Sequence, residues 1–255
     1  YDYFYGLGQL YGATRRYPEA ERMFNSAISL SPDILGAYRG KAWLYVHWDG
    51  DTRRAWRVLD DAASNNVPAA GLAEHRSWLA FLDRDYAKAL DAASTMPDTA
   101  LYCLHRAYAH YLSNQPPLAQ VYADSARVIY EQRVADLESE ARGEARPLVL
   151  GSLAFPRSWL GEAYALLGRE ADARREGLRA VALLPVSLDA HQGPSIVWQL
   201  ARIYVVLGDH DSALEQLEDF VTAPSRVVVP PLRLDPLWDP LRDDPRYRRL
   251  LEREN

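Results

Sequence analysis

Cysteine is nearly absent: Cys103 is the only one, which excludes an intrachain disulfide and a cysteine-cluster zinc site. A lone thiol within an apolar helical pattern reads as a small buried side chain rather than a nucleophile. Lysine is almost as scarce. Lys41 and Lys88 are the only lysines among 29 basic residues, a bias toward arginine expected of a G+C-rich, bacterial genome. Positive charge is not in excess either, since the formal charge is −6 and the pI about 5.6. That balance argues against a general binder of nucleic acid or anionic membrane, which needs clustered basic residues. No apolar run approaches the roughly 18 residues of a membrane span, and no signal-peptide pattern is visible. The chain opens at Tyr1 rather than Met, so further sequence upstream is expected, with a bacterial cytoplasmic location.

The residues of a catalytic site are also missing. There is no glycine-rich phosphate loop and no nucleophile elbow. His105 and His110 are five apart, on different sides of a helix, whereas a zinc pair sits four apart with a flanking glutamate. His47, His75, His191 and His210 are scattered and read as surface or structural groups. Glu138, Glu140 and Glu144 lie in a charge-mixed segment that reads as a solvated helix face. Arg246, Arg248 and Arg249 are offset by Asp243, Asp244, Glu252 and Glu254. The expectation is therefore no enzyme, no cofactor and no metal.

What is present is a repeated pattern. The composition is that of an ordinary globular chain of 255 residues, 48% hydrophobic and 25% charged. The clearest stretch is Ser158 to Pro185, SWLGEAYALLGREADARREGLRAVALLP. Leu160, Gly161 and Tyr164 share one face of a first helix, Gly168 marks a turn, and Ala173 and Ala180 line a second helix. Pro185 ends it, lacking the next helical donor. The start of the chain repeats the pattern with Phe4, Leu7, Gly8, Tyr11, Ala20, Phe24, Ala27 and Pro32, and Pro18 opens the second helix. An alanine ladder runs through Ala20, Ala55, Ala89, Ala119, Ala173 and Ala213, at gaps of 35, 34, 30, 54 and 40 residues.

This spacing resembles the tetratricopeptide repeat, whose period is about 34 residues. The resemblance implies an all-α, right-handed α-α superhelix of about six helical hairpins with a C-terminal capping segment. The expected units are 1–32, 33–67, a degenerate 68–97 in which Ser77 replaces the glycine, and 98–142 with an extended second helix. A loop over 143–153 follows, then 154–187 and 194–225, and a proline-rich strap and capping helix over 226–255, all in one continuous solenoid. In the strap, Asp-Pro and Pro-Pro steps exclude a long helix before Pro245, and Asp244 can cap the helix that follows. An exposed last repeat needs a cover, and this tail is the expected one. Residues 150–250 also resemble the C-terminal tetratricopeptide regions of bacterial signalling proteins, which follow a kinase, cyclase or DNA-binding domain.

In such a solenoid the first helix of each hairpin faces the concave groove. The set turned away from the packing residues is Tyr5 and Gln9; Arg39, Trp43 and His47; Glu74 and Trp78; Tyr108 and Tyr111; Ser158 and Glu162; Trp198 and Arg202. Trp43, Trp78 and Tyr108 would form an aromatic row, with Arg39, Glu74, Glu162 and Arg202 placing charge of both signs around it. Trp43 and Trp78 fit a core position equally well, while Trp198 fits exposure better. The family's chaperone-binding members hold a terminal carboxylate with a lysine- and asparagine-rich clamp; Tyr5, Gln9, Arg39 and Trp43 stand there instead. The expected function is a non-catalytic scaffold that binds a protein or peptide segment in the groove. The competing expectations are a sensor domain of a larger signalling protein and a self-associating homo-oligomer.

Overall fold

The computed structural model describes residues 1–141, 146–222 and 229–252. In chain order the α-helices are α1 (Asp2–Ala13), α2 (Tyr17–Leu30), α3 (Leu35–Trp48), α4 (Thr52–Ser64), α5 (Ala69–Leu82), α6 (Tyr86–Ala93) and α7 (Thr99–Leu112). They continue with α8 (Pro116–Glu140), α9 (Arg146–Leu166), α10 (Glu170–Leu183), α11 (Gly193–Val206), α12 (His210–Thr222), α13 (Val229–Leu234) and α14 (Pro245–Leu251). A 3-10 helix spans Pro236–Leu241, and there is no strand among the described residues. The chain divides into two compact units. One holds residues 1–97, 224–236 and 249–255; the other holds 98–223 and 237–248.

Each unit is built of antiparallel hairpins, α1/α2, α3/α4 and α5/α6 in the first, α7/α8, α9/α10 and α11/α12 in the second. Each hairpin turn holds one residue in the left-handed region: Arg15, Gly50, Arg84, Asn114, Gly168 or Gly208. The amide after it reaches back to the closing turn of the first helix, as in Arg16 N–H to Tyr11 O at 2.8 Å and Arg169 N–H to Tyr164 O at 2.9 Å. This closure satisfies carbonyls that a helix end would otherwise leave bare. The turn through Gly50 is one residue longer, and its bond runs from Asp51 N–H to Tyr45 O. The second helix then starts on a side-chain cap where one is available: the Asp51 and Asp85 carboxylates accept the Arg54 and Lys88 amides.

All six ladder alanines are buried. A side chain no larger than methyl lets the two helices of a hairpin touch along their backbones. At Gly161 even a methyl is too much, since a Cβ there would meet Ile203 Cδ1 at 2.7 Å and the Ala173 carbonyl at 3.2 Å. In the α5/α6 hairpin Ser77 fills the corresponding place, and its buried hydroxyl donates to Ala89 O at 3.0 Å.

The structure departs from the sequence reading in two places. The stretch expected as a loop over 143–153 is helical from Arg146 onward, while 142–145 lie outside the described residues. Pro147 sits in the first turn, where a missing amide costs nothing, and Leu153 and Ala154 are buried, so packing favours helix over loop. The tail is not simply a cover for the last hairpin. In the first unit α13 packs on α3, with Pro230 and Leu234 against Gly50. In the second, Trp238 is fully buried, and Arg246 of α14 pairs with Asp211 at the start of α12 at 2.6 Å.

In the second unit a buried ion cluster ties three helices together. Arg157 of α9 binds Glu176 of α10 and Glu138 near the end of α8, the 25-residue helix. Glu176 is further met by Arg175 at 3.0 Å. Both Arg157 and Glu176 are buried, and a charge there is tolerated only because it is paired.

The turns make a direct test. Gly168 has φ +72°, and a Cβ added to it would meet nothing within 4 Å, so Gly168→Ala carries the backbone cost alone. We expect a loss of about 1 kcal/mol in urea unfolding. Unchanged stability would show that the turn can close without a left-handed residue.

Candidate functional site

In the first unit the neighbouring first helices α1, α3 and α5 bring their expected residues together in part. The Trp43 and Trp78 rings stack with centroids 3.9 Å apart and planes 25° apart, and both are half-buried. His47 lies one turn along α3, its ring 4.8 Å from Trp43 and its Nδ1 2.7 Å from the Trp43 carbonyl oxygen. Trp78 also packs against the core around Tyr38, Leu59 and Leu79. The pair is thus one surface with an anchored underside and an accessible edge. Gln9 Nε2 donates to the Tyr5 hydroxyl at 2.6 Å, and Tyr5 stacks on Tyr1. Arg39 and Glu74 are exposed. No carboxylate among the described residues lies within ion-pair distance of Arg39.

In the second unit the corresponding residues also meet, but they form an interior. Tyr108, Ser158 and Glu162 are 4%, 1% and 3% exposed, so they do not face an open groove. Arg202 Nε donates to Glu162 Oε1 at 3.0 Å, and its guanidinium carbon lies 4.6 Å over the Tyr108 ring. Burial, reinforced by the Glu162 carboxylate, pushes the Tyr108 hydroxyl well above its usual pKa. That hydroxyl makes no well-directed hydrogen bond. Ser158 donates its hydroxyl to Phe155 O at 2.8 Å and also bonds Gln199. Trp198 is half-buried, and the tail's Trp238 packs edge-on against it at 4.8 Å. Tyr111 is half-buried, which raises its pKa.

The physical reason for this correction is that the chain supplies its own occupants. The Arg202–Glu162 pair closes the charge, and Trp238 takes the exposed side of Trp198. Nothing periodic marks Trp238, which stands in LDPLWDPL between prolines, so a repeat-based reading passes over it. Its one signal was being a large apolar residue in a segment otherwise made of turns.

His110 and Cys103 are packed into the fold. His110 Nδ1 lies 2.9 Å from Gln115 Oε1, and its ring stacks on Tyr122. Cys103 is buried, which raises its thiol pKa. Among the described residues no group of three His, Cys, Asp or Glu could hold a metal, and no helix is long and apolar enough to cross a membrane.

The model described as Tetratricopeptide repeat matches residues 1–34, and a second model of the same description matches 154–176 and 194–219. No curated protein matches the chain. Among solved structures the chain is similar to PilW, a widely conserved type IV pilus biogenesis factor, at 16% identity and TM-score 0.45, covering 86% of this chain and 90% of that one. It is also similar to a Rap protein complexed with competence and sporulation factor, at 15% identity and TM-score 0.33, covering 87% and 75%. The P58(IPK) TPR domain is similar at 11% identity and TM-score 0.22, covering 98% and 96%.

Two outcomes test this description. Tyr108→Phe should leave stability within about 1 kcal/mol, because the lost hydroxyl bonds to nothing well. Glu162→Leu should cost about 3 kcal/mol, because it strands Arg202; equal effects would mean that the pair is not what holds the face together. The second test concerns His75, which burial, with Arg39 adding repulsion, pushes down from 6.5 to about 3. The unfolded chain takes up this proton near pH 6.5 and the folded chain does not. The stability is therefore complete above pH 6.5 and is lost as pH falls toward 3. A His75→Leu variant should show a shallower fall of Tm between pH 6.5 and 4 than the parent; parallel curves would place His75 in solvent.

Proposed function

Since this chain is a tetratricopeptide repeat protein, of a family whose general role is protein–protein interaction scaffolding, we propose that it holds an extended partner segment on the first-helix face of its first unit. The observation that supports this reading most directly is the stacked pair Trp43–Trp78, left half-exposed one helical turn from Arg39, a cation with no carboxylate partner among the described residues. An aromatic pair already locked by stacking offers a large contact area with little rotamer entropy left to lose. A free guanidinium beside it can take a carboxylate with two hydrogen bonds. The partner segment therefore carries an apolar or aromatic side chain for the tryptophans and an acidic residue about one helical turn away. Tyr5, Gln9, His47 and Glu74 extend the contact on either side.

The matching face of the second unit is a poorer candidate. Its Tyr108, Ser158 and Glu162 are buried, and its arginine is already paired. The mechanism in this reading is equilibrium binding.

The test is selection of peptides from a random display library on the whole chain, repeated with a Trp43→Ala/Trp78→Ala variant and with Arg39→Glu. The selected peptides should carry an acidic residue near an aromatic or aliphatic one. Each variant should weaken them by about 2 kcal/mol, roughly thirtyfold, while circular dichroism shows the helices intact. Peptides that bind both folded variants as tightly as the parent would sink the reading.

A further inference from the structure

The first unit contains a second feature that partner binding does not use. A half-open cleft of about 300 Å³ lies between α2, α3 and α4, with Ile28, Tyr38, Lys41 and Val58 in its wall and Asn25, Ser29, Asp61 and Asn65 on its exposed rim. It carries two opposite charges that the described residues leave unpaired. Among the described residues no carboxylate lies within ion-pair distance of the Lys41 ammonium and no cation within that distance of the Asp61 carboxylate; Lys41 feels Glu21 and Asp61 only through space, and its ammonium lies 5.9 Å from the Tyr45 ring centroid. The nearby acidic group, Glu21, is engaged elsewhere: it accepts from the Tyr45 hydroxyl at 2.5 Å and meets Arg54 at 3.5 Å. Lys41 is half-buried, and that burial lowers its pKa. It is also one of only two lysines in a chain that otherwise uses arginine for positive charge.

A half-buried ammonium and an exposed carboxylate that line one cleft, and that attract each other without pairing, leave a gap that a ligand can bridge. We propose that this cavity binds a small zwitterion, a free α-amino acid, with its carboxylate on Lys41 and its ammonium on Asp61. Both ends of such a ligand meet an opposite charge. Its side chain lies on Ile28 and Val58, and the Asn25 amide supplies a further hydrogen-bonding group. The polar groups around it are already positioned: Tyr38 donates its hydroxyl to Pro32 O at 2.9 Å, and Asn65 Nδ2 donates to Asp61 O at 2.8 Å. The volume stands at the lower end of the roughly 300–1,000 Å³ range of ligand pockets, which suits a single amino acid and not a peptide. Lysine rather than arginine fits the task, because a compact ammonium on a flexible stem adapts to one carboxylate in a narrow space. The site does not depend on the Trp43–Trp78 face. Residues 41 and 43 are two apart on α3 and point to well-separated sides of the helix.

The experiment is calorimetric titration of the whole chain with glycine, L-alanine, L-valine, L-leucine and L-serine at millimolar concentration. The controls are the amide of the best binder, which lacks the carboxylate, and its des-amino acid, which lacks the ammonium. At least one amino acid should bind saturably and both controls should fail. Lys41→Met and Asp61→Asn should each weaken binding about tenfold or more. Should either variant unfold, the parent still decides the matter. Backbone hydrogen exchange of the parent, read by mass spectrometry, should show the bound amino acid slowing exchange in α2, α3 and α4 and leaving α6 unchanged. No saturable heat with any of the five would overturn the proposal, as would equal binding of the des-amino control or unchanged exchange in all four helices.

Discussion

The structure depends on how closely two helices can approach within a hairpin. Ala20, Ala55, Ala89, Ala119, Ala173 and Ala213 are all buried, and none has more than a methyl group to place between helices. A core of this kind gains little area from the residue at the point of contact. Its stability comes from the large side chains that close contact brings together, such as Phe24, Tyr38, Leu59, Tyr130 and Ile203, all nearly or fully buried. The glycines at 8, 161 and 177 take the same logic to its limit: Phe24 of the partner helix lies where a Cβ of Gly8 would be, and Leu200 and Ile203 of α11, in the next hairpin, crowd Gly161 and Gly177 in the same way. Substituting up at any of these positions pushes apart a whole hairpin rather than one contact.

Close packing of tyrosine-rich helices raises a second problem, which is where the tyrosine rings and hydroxyls go. Arginine answers it repeatedly. Arg16 lies over Tyr11, Arg54 over Tyr45, Arg169 over Tyr164 and Arg174 over Tyr204, at 3.7–5.2 Å from the ring centroids. The guanidinium is planar and weakly hydrated, so it can stack on a ring and still hold a carboxylate at its edge. Arg54 does both, facing Glu21 and Asp49 while it covers Tyr45. Arg202 does both at Tyr108 and Glu162. The arginine bias of the composition is consequently a structural feature. Against that background a half-buried lysine facing a cavity stands out.

The repeat architecture was legible because its signals are local: alanine and glycine at fixed spacing, proline at the first helical turn, and a turn residue between. The helix beginning at Arg146 was not legible, because Gly151, Pro147 and Pro156 all suggest a break, and only the packing of Leu153 and Ala154 outweighs them. At the candidate site, the lateral meeting of Trp43 with Trp78, and of Tyr108 with Glu162 and Arg202, follows from register. Exposure does not follow from register. It depends on what else lies on the face, and for the second unit that includes Trp238, whose place is set by tertiary contact and by no repeat. The Lys41 cavity was illegible for the same reason: its lining comes from three helices whose residues are unremarkable one at a time.

Arg202 and Arg39 differ first in burial. Both are arginines on the first helix of a hairpin, and Arg202 lies over the Tyr108 ring. Arg202 has its carboxylate, its ring and little solvent, so any ligand would have to break an existing pair before forming its own. That exchange gains almost nothing, because the new bond replaces one of equal strength in the same low-dielectric surroundings. Arg39 is exposed and has no carboxylate within ion-pair distance among the described residues, so a ligand carboxylate there would displace only water. The better-made ion pair serves the fold, whereas both proposed sites rest on charges, Arg39 and Lys41 on α3 and Asp61 on α4, that the described residues leave unpaired.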